Sequence, residues 1–210
     1  MAARIFAISN QKGGTGKTTL SMNFAAGLAG RGRTLVVDTD PQGSAVQWAG
    51  LAPDENPFPV SVITLAGNLA REIKRFSEDY QYLVIDCPPT LESDATQLAM
   101  SAADTVLIPV LPSPIDLWAS MRLAALLEQA KMINPKLSAH IVVNQLEPRN
   151  ALSRAMQQAL DEFDIPTLQS CLRRRAIYRT SAIEGNSVFG MGKRGEAAAQ
   201  EIEAIINEVM

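Results

Sequence analysis

The architecture of the chain follows from residues 4–19, which read Arg4-Ile-Phe-Ala-Ile-Ser-Asn-Gln-Lys-Gly-Gly-Thr-Gly-Lys-Thr-Thr19. The apolar run from Ile5 to Ile8 predicts a buried strand, and the glycines that follow give a backbone that can curl tightly. A helix is then expected to begin at Lys17. The order of strand, glycine-rich loop and helix is typical of a phosphate-binding loop, in which backbone amides and the helix N-terminus hold phosphate oxygens.

The loop departs from the usual phosphate-binding pattern by one residue. That pattern has a glycine five residues before Gly16, where this chain has Gln11, and a second lysine, Lys12, stands at the loop entrance. Lys17 is expected to neutralise the β- and γ-phosphates of a nucleotide, and the hydroxyl of Thr18 to bind Mg²⁺. The remaining residues expected around the phosphates are Gly13, Gly14, Thr15, Gly16 and Thr19.

The composition excludes several classes of protein. The 210 residues are 47% hydrophobic and 20% charged, with a net charge of −3, which is typical of a globular protein, and we expect residues 1–210 to form a single domain. We see no signal peptide and no apolar run near the ~20 residues of a membrane span, so a cytoplasmic protein is expected. The two cysteines, Cys87 and Cys171, lack metal-ligand spacing and cannot make a disulfide framework.

Alternating apolar runs and amphipathic segments predict an α/β fold. Strands are expected at 34–38, 60–64, 82–86, 105–108, 138–144 and 165–170, in addition to the first. Helices are expected at 17–31, 44–49, 66–76, 92–102, 115–131, 151–163 and 195–210. Such alternation gives a mostly parallel, doubly wound sheet of about seven or eight strands flanked by helices, of the P-loop NTPase type. In these sheets ligands bind beyond the carboxyl ends of the strands.

Three carboxylates directly follow predicted strands: Asp38, Asp40 and Asp86. Asp86 is placed to reach a water molecule bound to Mg²⁺. We expect Asp38 to lie nearer the metal in a supporting role and Asp40 to lie near the attacking water. The alternative is that these acids cap helices or stand solvated in turns, since Asp40 precedes Pro41 and this pair commonly starts a turn.

Three motifs together resemble the ParA/MinD family of deviant Walker ATPases: Lys12-Gly-Gly-Thr-Gly-Lys-Thr-Thr19, Asp38-Thr-Asp-Pro-Gln42 and Leu83-Val-Ile-Asp-Cys-Pro-Pro89. The resemblance implies an ATPase that uses ATP and Mg²⁺, with Lys12, Lys17 and Asp40 in catalysis. In that family the lysine matching Lys12 touches the ATP of a partner subunit, which implies an ATP-dependent homodimer. The resemblance also points to adenine recognition near Asn144 and residues 112–116, although Asn144 could instead cap a turn.

Branches of this family differ in the surface that they bind. The MinD branch ends in a basic membrane helix, whereas residues 195–210 here contain four glutamates and no lysine or arginine, so no membrane partner is expected. Residues 173–194 carry six basic residues against one acid, Glu184, which favours non-specific contact with DNA phosphates. The alternative is a solvated loop or ion pairs with the acidic tail. The residues concerned are Arg173, Arg174, Arg175, Arg179, Lys193 and Arg194.

The first strand begins almost at the start of the chain, so the sequence resembles the short ParA type, without a helix-turn-helix. This resemblance implies nucleoid association in the ATP-bound state and a separate cargo-adaptor or centromere-binding protein that stimulates hydrolysis. The cargo could be a plasmid, a chromosome region or a protein assembly. Three alternatives remain: a MinD-like membrane-associated positioning ATPase, a small-molecule kinase or ligase, and an electron-transfer ATPase resembling the nitrogenase iron protein, which would need Cys87 and Cys171 at a shared cluster.

Overall fold

A six-stranded parallel sheet forms the centre of the molecule. The computed structural model describes residues 3–65, 68–90, 93–147, 160 and 164–210, with backbone alone for 114–122. Within these residues the strands lie in the order β3-β2-β4-β1-β5-β6. The parallel sheet confirms the predicted fold class, although the described strands are slightly fewer than expected. The strands are β1 (Arg4–Ile8), β2 (Thr34–Asp38), β3 (Ser61–Thr64), β4 (Tyr82–Asp86), β5 (Thr105–Val110) and β6 (Ser138–Val143).

Helices cover both faces of the sheet. One face packs against the helices Leu69–Asp79, Asp94–Ala102 and Pro114–Ile133 through residues such as Ile73, Met100 and Leu127. The other face packs against the helices Lys17–Ala29 and Glu196–Val209 through Phe24 and Ile205. Among the described residues, no helix has both the length and the apolar character needed to cross a bilayer. The helices are α1 (Lys17–Ala29), α2 (Ser44–Gly50), α3 (Leu69–Asp79), α4 (Asp94–Ala102), α5 (Pro114–Ile133), α6 (Ala176–Ile183) and α7 (Glu196–Val209).

The register of the three central strands aligns their carboxyl ends. Ile8 at the end of β1 pairs with Asp86 at the end of β4, and Asp86 pairs in turn with Asp38 at the end of β2. The backbone N–H of Cys87 donates to the carbonyl of Ile8 at 3.1 Å, and that of Thr39 donates to the carbonyl of Asp86 at 3.0 Å. The loops that follow these strands therefore leave the sheet side by side, as the sequence predicted.

Two strand predictions differ from the structure by more than one residue. The expected strand at 165–170 is wrong, because this segment makes a single bridge to β6, at Thr167, and the N–H groups of Gln169 and Ser170 donate to the carboxylate of Glu208 instead. Strand β5 was expected to stop at Ile108 but continues through Pro109. Strand β1 has ended at that level, and the carbonyl of Pro109 accepts from the side chain of Asn10 at 2.8 Å. The missing proline N–H therefore removes no ladder bond.

Six of the predicted helices lie in the described residues and are confirmed with shifted ends, and the structure adds two elements that the sequence did not indicate. Helix α1 ends at Ala29 rather than at residue 31, and α3 continues to Asp79. The basic stretch after residue 175 forms α6 and then a short 3₁₀ helix, Val188–Arg194. The predicted helix at 151–163 lies outside the described residues, except for residue 160.

Candidate functional site

The glycine-rich loop is organised around the carbonyl oxygen of Lys12. This oxygen accepts hydrogen bonds from the ammonium group of Lys17 at 3.1 Å and from the hydroxyl of Thr15 at 3.3 Å. The backbone N–H of Lys12 donates to Oδ1 of Asn10 at 3.1 Å, and Asn10 is itself held by Pro109. Lys12 is thus fixed at the loop entrance by its backbone, while the Lys17 side chain lies within the curl of the loop.

Gly16 allows the loop to pass close to Asn144. Its φ is +89°, in the left-handed region, and a Cβ atom there would lie 2.2 Å from the amide nitrogen of Asn144. That amide donates to the carbonyl of Thr15 at 2.6 Å, and its Oδ1 accepts from the N–H of Gln145 at 2.8 Å. Asn144, expected near adenine, therefore stabilises the phosphate loop through its hydrogen bond to Thr15. It also lines the pocket next to the loop.

Lys17 is the buried cation of the loop. Burial lowers its pKa, and the nearby carboxylates of Asp86 and Asp40 oppose this effect. A site that desolvates a lysine in this way favours a ligand whose negative charge compensates it. Phosphate oxygens are ligands of this kind, so the charge distribution fits a nucleotide.

Asp86 joins the end of β4 to the start of α1. Its two carboxylate oxygens accept from the hydroxyls of Thr18, at 2.7 Å, and Ser21, at 2.8 Å. Burial raises the pKa of Asp86 to about 7, and the two hydroxyl donors limit the rise. A hydroxyl and a carboxylate in contact beside a phosphate loop are the oxygen donors that Mg²⁺ takes. The residues present therefore fit the predicted metal ion.

Asp38 and Asp40 lie in the same loop but have different contacts. The Asp38 carboxylate is buried and accepts from the N–H groups of Asp40 at 3.1 Å, Ala45 at 2.9 Å and Val46 at 3.2 Å. It thus caps the start of α2, which was the alternative interpretation of this residue. Burial raises the pKa of Asp38, and these hydrogen bonds oppose the rise. Asp40 is half-buried and close enough to Lys17 to act on its pKa.

A pocket of about 140 Å³ opens next to the phosphate loop. Four arginines of residues 173–194, here called the basic segment, line it. The other residues that line the pocket are Tyr178, the loop residues Gly16 and Thr19, and Asn144 and Gln145, which follow β6. Gln145 has a φ of +56°, an uncommon conformation for a residue with a side chain. The pocket arginines are Arg173, Arg174, Arg175 and Arg179.

Several residues of the basic segment form ion pairs. Arg173 and Arg175 pair with Glu201 of α7, the first at 3.8 Å and the second at 2.7 Å. Arg174 pairs with Glu147 at 2.7 Å, and Arg194 pairs with Glu184 at 3.7 Å. The alternative of ion pairs with the acidic tail thus describes Arg173 and Arg175. Arg179 and Lys193 are exposed to solvent, as is Arg173.

Two of the alternatives conflict with the positions of the residues that they need. Cys87 is 1% exposed and packs in the core beneath the sheet, so it cannot face a cluster shared with another subunit. The three isoleucines of α7, Ile202, Ile205 and Ile206, are fully buried against α1 and the sheet. They are therefore not available to enter a membrane.

Sequence reasoning missed four residues of this region: Asn10, Ser21, Tyr178 and Glu201. Ser21 lies one helical turn after Thr18, so its contact with Asp86 could have been inferred from helix periodicity. Asn10 lies two residues after the end of β1, where polar side chains commonly join the site. The contact between Tyr178 and Glu201 joins residues that are distant in the sequence, and no local pattern indicates it.

The comparisons with known proteins agree with this geometry. Residues 6–188 match the family model of the CobQ/CobB/MinD/ParA nucleotide binding domain. The chain is 45% identical over 205 residues to the maintenance of carboxysome distribution protein A of Halothiobacillus neapolitanus, covering 97% of this chain and 95% of that protein. It is 33% identical over 189 residues to the chromosome-partitioning ATPase Soj of Thermus thermophilus, covering 75% of each.

Solved structures share the fold at lower identity. A Cyanothece McdA variant in complex with ATP superposes with a TM-score of 0.78 at 17% identity, covering 99% of this chain and 96% of that one. Cobyrinic acid a,c-diamide synthase from Mycobacterium smegmatis, with bound ADP and magnesium, gives a TM-score of 0.74 at 22% identity, covering 98% and 93%. The oxygen donors of Thr18 and Asp86 suit Mg²⁺, and the chain belongs to the CobQ/CobB/MinD/ParA family of nucleotide-binding domains and is an ATPase.

Proposed function

We propose that the chain is an ATP-dependent dimerising switch that positions a cargo inside the cell. ATP binds in the phosphate loop of each subunit, Lys12 contacts the phosphates of the ATP held by the partner subunit, and hydrolysis separates the two. The proposal is supported by the 45% identity to a carboxysome distribution protein along nearly the whole chain. The cargo is accordingly a large assembly, linked to the ATPase by a separate adaptor protein that stimulates hydrolysis.

The observation that carries the proposal is the arrangement of the two lysines. Lys17 donates to the carbonyl of Lys12, so Lys17 fills the cradle of its own loop and Lys12 stands at the entrance. The adjoining Gly13 and Gly14 are exposed, which leaves the entrance open to a second subunit. A lysine that arrives there across an interface is desolvated and stabilises charge that develops on the phosphates, as an arginine finger does.

The three acidic residues Asp38, Asp40 and Asp86 have different roles in this proposal. Asp40 orients the attacking water, and Thr18 and Asp86 would hold Mg²⁺. When bound there, Mg²⁺ would neutralise phosphate charge. Asp38 supports this site indirectly, because its carboxylate fixes the backbone of Asp40 and the start of α2.

The basic segment supports non-specific binding to DNA in the ATP-bound state. Arg179 and Lys193 are exposed, and a dimer presents each of them twice, so weak phosphate contacts add up. Because the same segment lines the pocket beside the phosphate loop, nucleotide binding and DNA binding involve one stretch of chain. Arg173, Arg174, Arg175 and Arg194 contribute to the positive potential in spite of their ion pairs.

Gel shifts at low salt with ATP, ADP and no nucleotide test the DNA step. We expect strong binding with ATP alone, and we expect Lys193→Ala to reduce the slope of log affinity against log salt by about 1 for each ammonium group that no longer reaches a phosphate. Lys74→Ala, which removes an exposed lysine from α3, is the matched control and should bind as the wild type does. Equal binding in all three nucleotide states would refute the switch on DNA.

A further inference from the structure

The carboxylate of Glu201 on α7 joins several groups of the basic segment. Oε2 accepts from the N–H of Arg173 at 3.2 Å and from the hydroxyl of Tyr178 at 3.0 Å. Oε1 accepts from Nε of Arg175 at 2.9 Å, and Nη2 of the same guanidinium lies 2.7 Å away. The side chain is only 12% exposed, so both oxygens are committed to residues 173–178.

Those same residues form a wall of the pocket beside the phosphate loop. Arg173, Arg175 and Tyr178 line it together with Gly16 and Thr19, while Glu201 itself does not line it. We propose that Glu201 is a positioning residue that holds Arg175 and Tyr178 as the wall against which the ribose and base of ATP bind, without touching the nucleotide. The inference rests on the proposed placement of the ATP phosphates in the loop.

A purely structural role in docking the tail helix does not account for this arrangement. Helix α7 is already held by Ile202, Ile205 and Ile206, which are fully buried. The carboxylate of Glu201 instead fixes the side chains of Arg175 and Tyr178, which would otherwise be mobile. An unpaired arginine samples many rotamers, and a wall that is ordered before the ligand arrives lowers the cost of binding.

Electrostatics strengthens the same conclusion. Hydrogen bonding to Glu201 raises the pKa of Arg175, and burial together with Glu201 raises the pKa of Tyr178, so both groups remain protonated donors. Without the carboxylate, two neighbouring arginines lose their shared counter-charge. The Tyr178 hydroxyl then keeps the carbonyl of Ala198, at 3.3 Å, as its partner. The wall is expected to open as a result.

The test compares two ligands of the 210-residue protein by titration calorimetry in the presence of Mg²⁺: ATP, and inorganic tripolyphosphate, which lacks the ribose and base. For Glu201→Gln we expect the Kd for ATP to rise about tenfold, equivalent to ~1.4 kcal/mol, and the Kd for tripolyphosphate to stay within about twofold. The control is Glu203→Gln on the same helix. Glu203 pairs with Arg31 away from the pocket, and both of its Kd values should stay within about twofold.

Tyr178→Phe removes one donor from the wall without changing charge, and it carries the test if Glu201→Gln fails to fold. Its Kd for ATP should rise about threefold, again without a change for tripolyphosphate. Equal weakening of both ligands in Glu201→Gln, or unchanged binding of ATP in a folded variant, would overturn the inference and leave the ATPase assignment intact. Wild-type protein that binds tripolyphosphate as tightly as ATP would also overturn the inference, whereas wild-type protein that binds neither ligand would refute the placement of the phosphates on which the inference rests.

Discussion

Replacing Asp86 with asparagine is expected to stabilise the nucleotide-free protein at neutral and alkaline pH, and to abolish Mg²⁺-dependent hydrolysis. Asp86 is 1% exposed and receives the hydroxyls of Thr18 and Ser21. Burial raises its pKa to about 7, against 3.8 for a carboxyl group in the unfolded chain. In the absence of Mg²⁺ and nucleotide, the negative charge of this buried carboxylate therefore lowers the free energy of unfolding.

The sign of the effect follows from the protons bound by each state. Between about pH 4 and pH 7 the folded protein holds a proton on Asp86 that the unfolded chain has lost, so the free energy of unfolding falls as pH rises through this window. This loss of unfolding free energy is absent below about pH 4 and complete above about pH 7. Because one pH unit corresponds to about 1.4 kcal/mol, about 2–3 kcal/mol accumulates between pH 5 and pH 8.

Urea unfolding at pH 5 and pH 8, in EDTA and without nucleotide, measures this difference. Relative to wild type, Asp86→Asn should gain about 2–3 kcal/mol of unfolding free energy on going from pH 5 to pH 8. The control is Asp79→Asn, which removes an exposed carboxylate from the end of α3 and should follow the wild type. Identical pH slopes for Asp86→Asn and wild type would refute the reasoning.

Two further changes test the loop and a third tests its surroundings. Gly16→Ala forces a left-handed residue and a contact of 2.2 Å with Asn144, so urea unfolding should show a loss of about 1–3 kcal/mol; no loss would contradict that geometry. Gly13→Ala meets no atom within 4 Å, so it should keep its stability within about 0.5 kcal/mol and yet lose ATP affinity in calorimetry. Trp48→Phe removes the hydrogen bond to the carbonyl of Asn186 at 3.0 Å and should cost about 1 kcal/mol in thermal unfolding, and an unchanged midpoint would contradict this.

The features that could be predicted from the sequence are those that local pattern determines. The apolar runs that end at Ile8, Asp38 and Asp86 define parallel strands, and a parallel sheet brings their ends together whatever the rest of the chain does. The apolar stripe of the tail helix likewise predicted which of its residues are buried, Ile205 among them. These inferences needed only periodicity and the rules of α/β topology.

The features that could not be predicted depend on contacts between distant residues. The sequence shows that 173–179 is basic, but not that Arg173 and Arg175 pair with Glu201 and line a pocket together with Gly16. It shows an acid at Asp38, but not that three backbone N–H groups occupy its carboxylate. It shows Pro109 after a strand, but not that the neighbouring strand has already ended. Each of these features depends on how distant segments of the chain are placed in the fold.

Size-exclusion chromatography with light scattering, in ATP, ADP and no nucleotide, tests the central claim most directly. For wild type we predict a dimer with ATP alone. Asp40→Ala should hold the ATP dimer together, because hydrolysis no longer separates it, and Lys12→Ala should lower the rate of hydrolysis and the fraction of dimer. A dimer populated equally with and without nucleotide in all three proteins would contradict the switch.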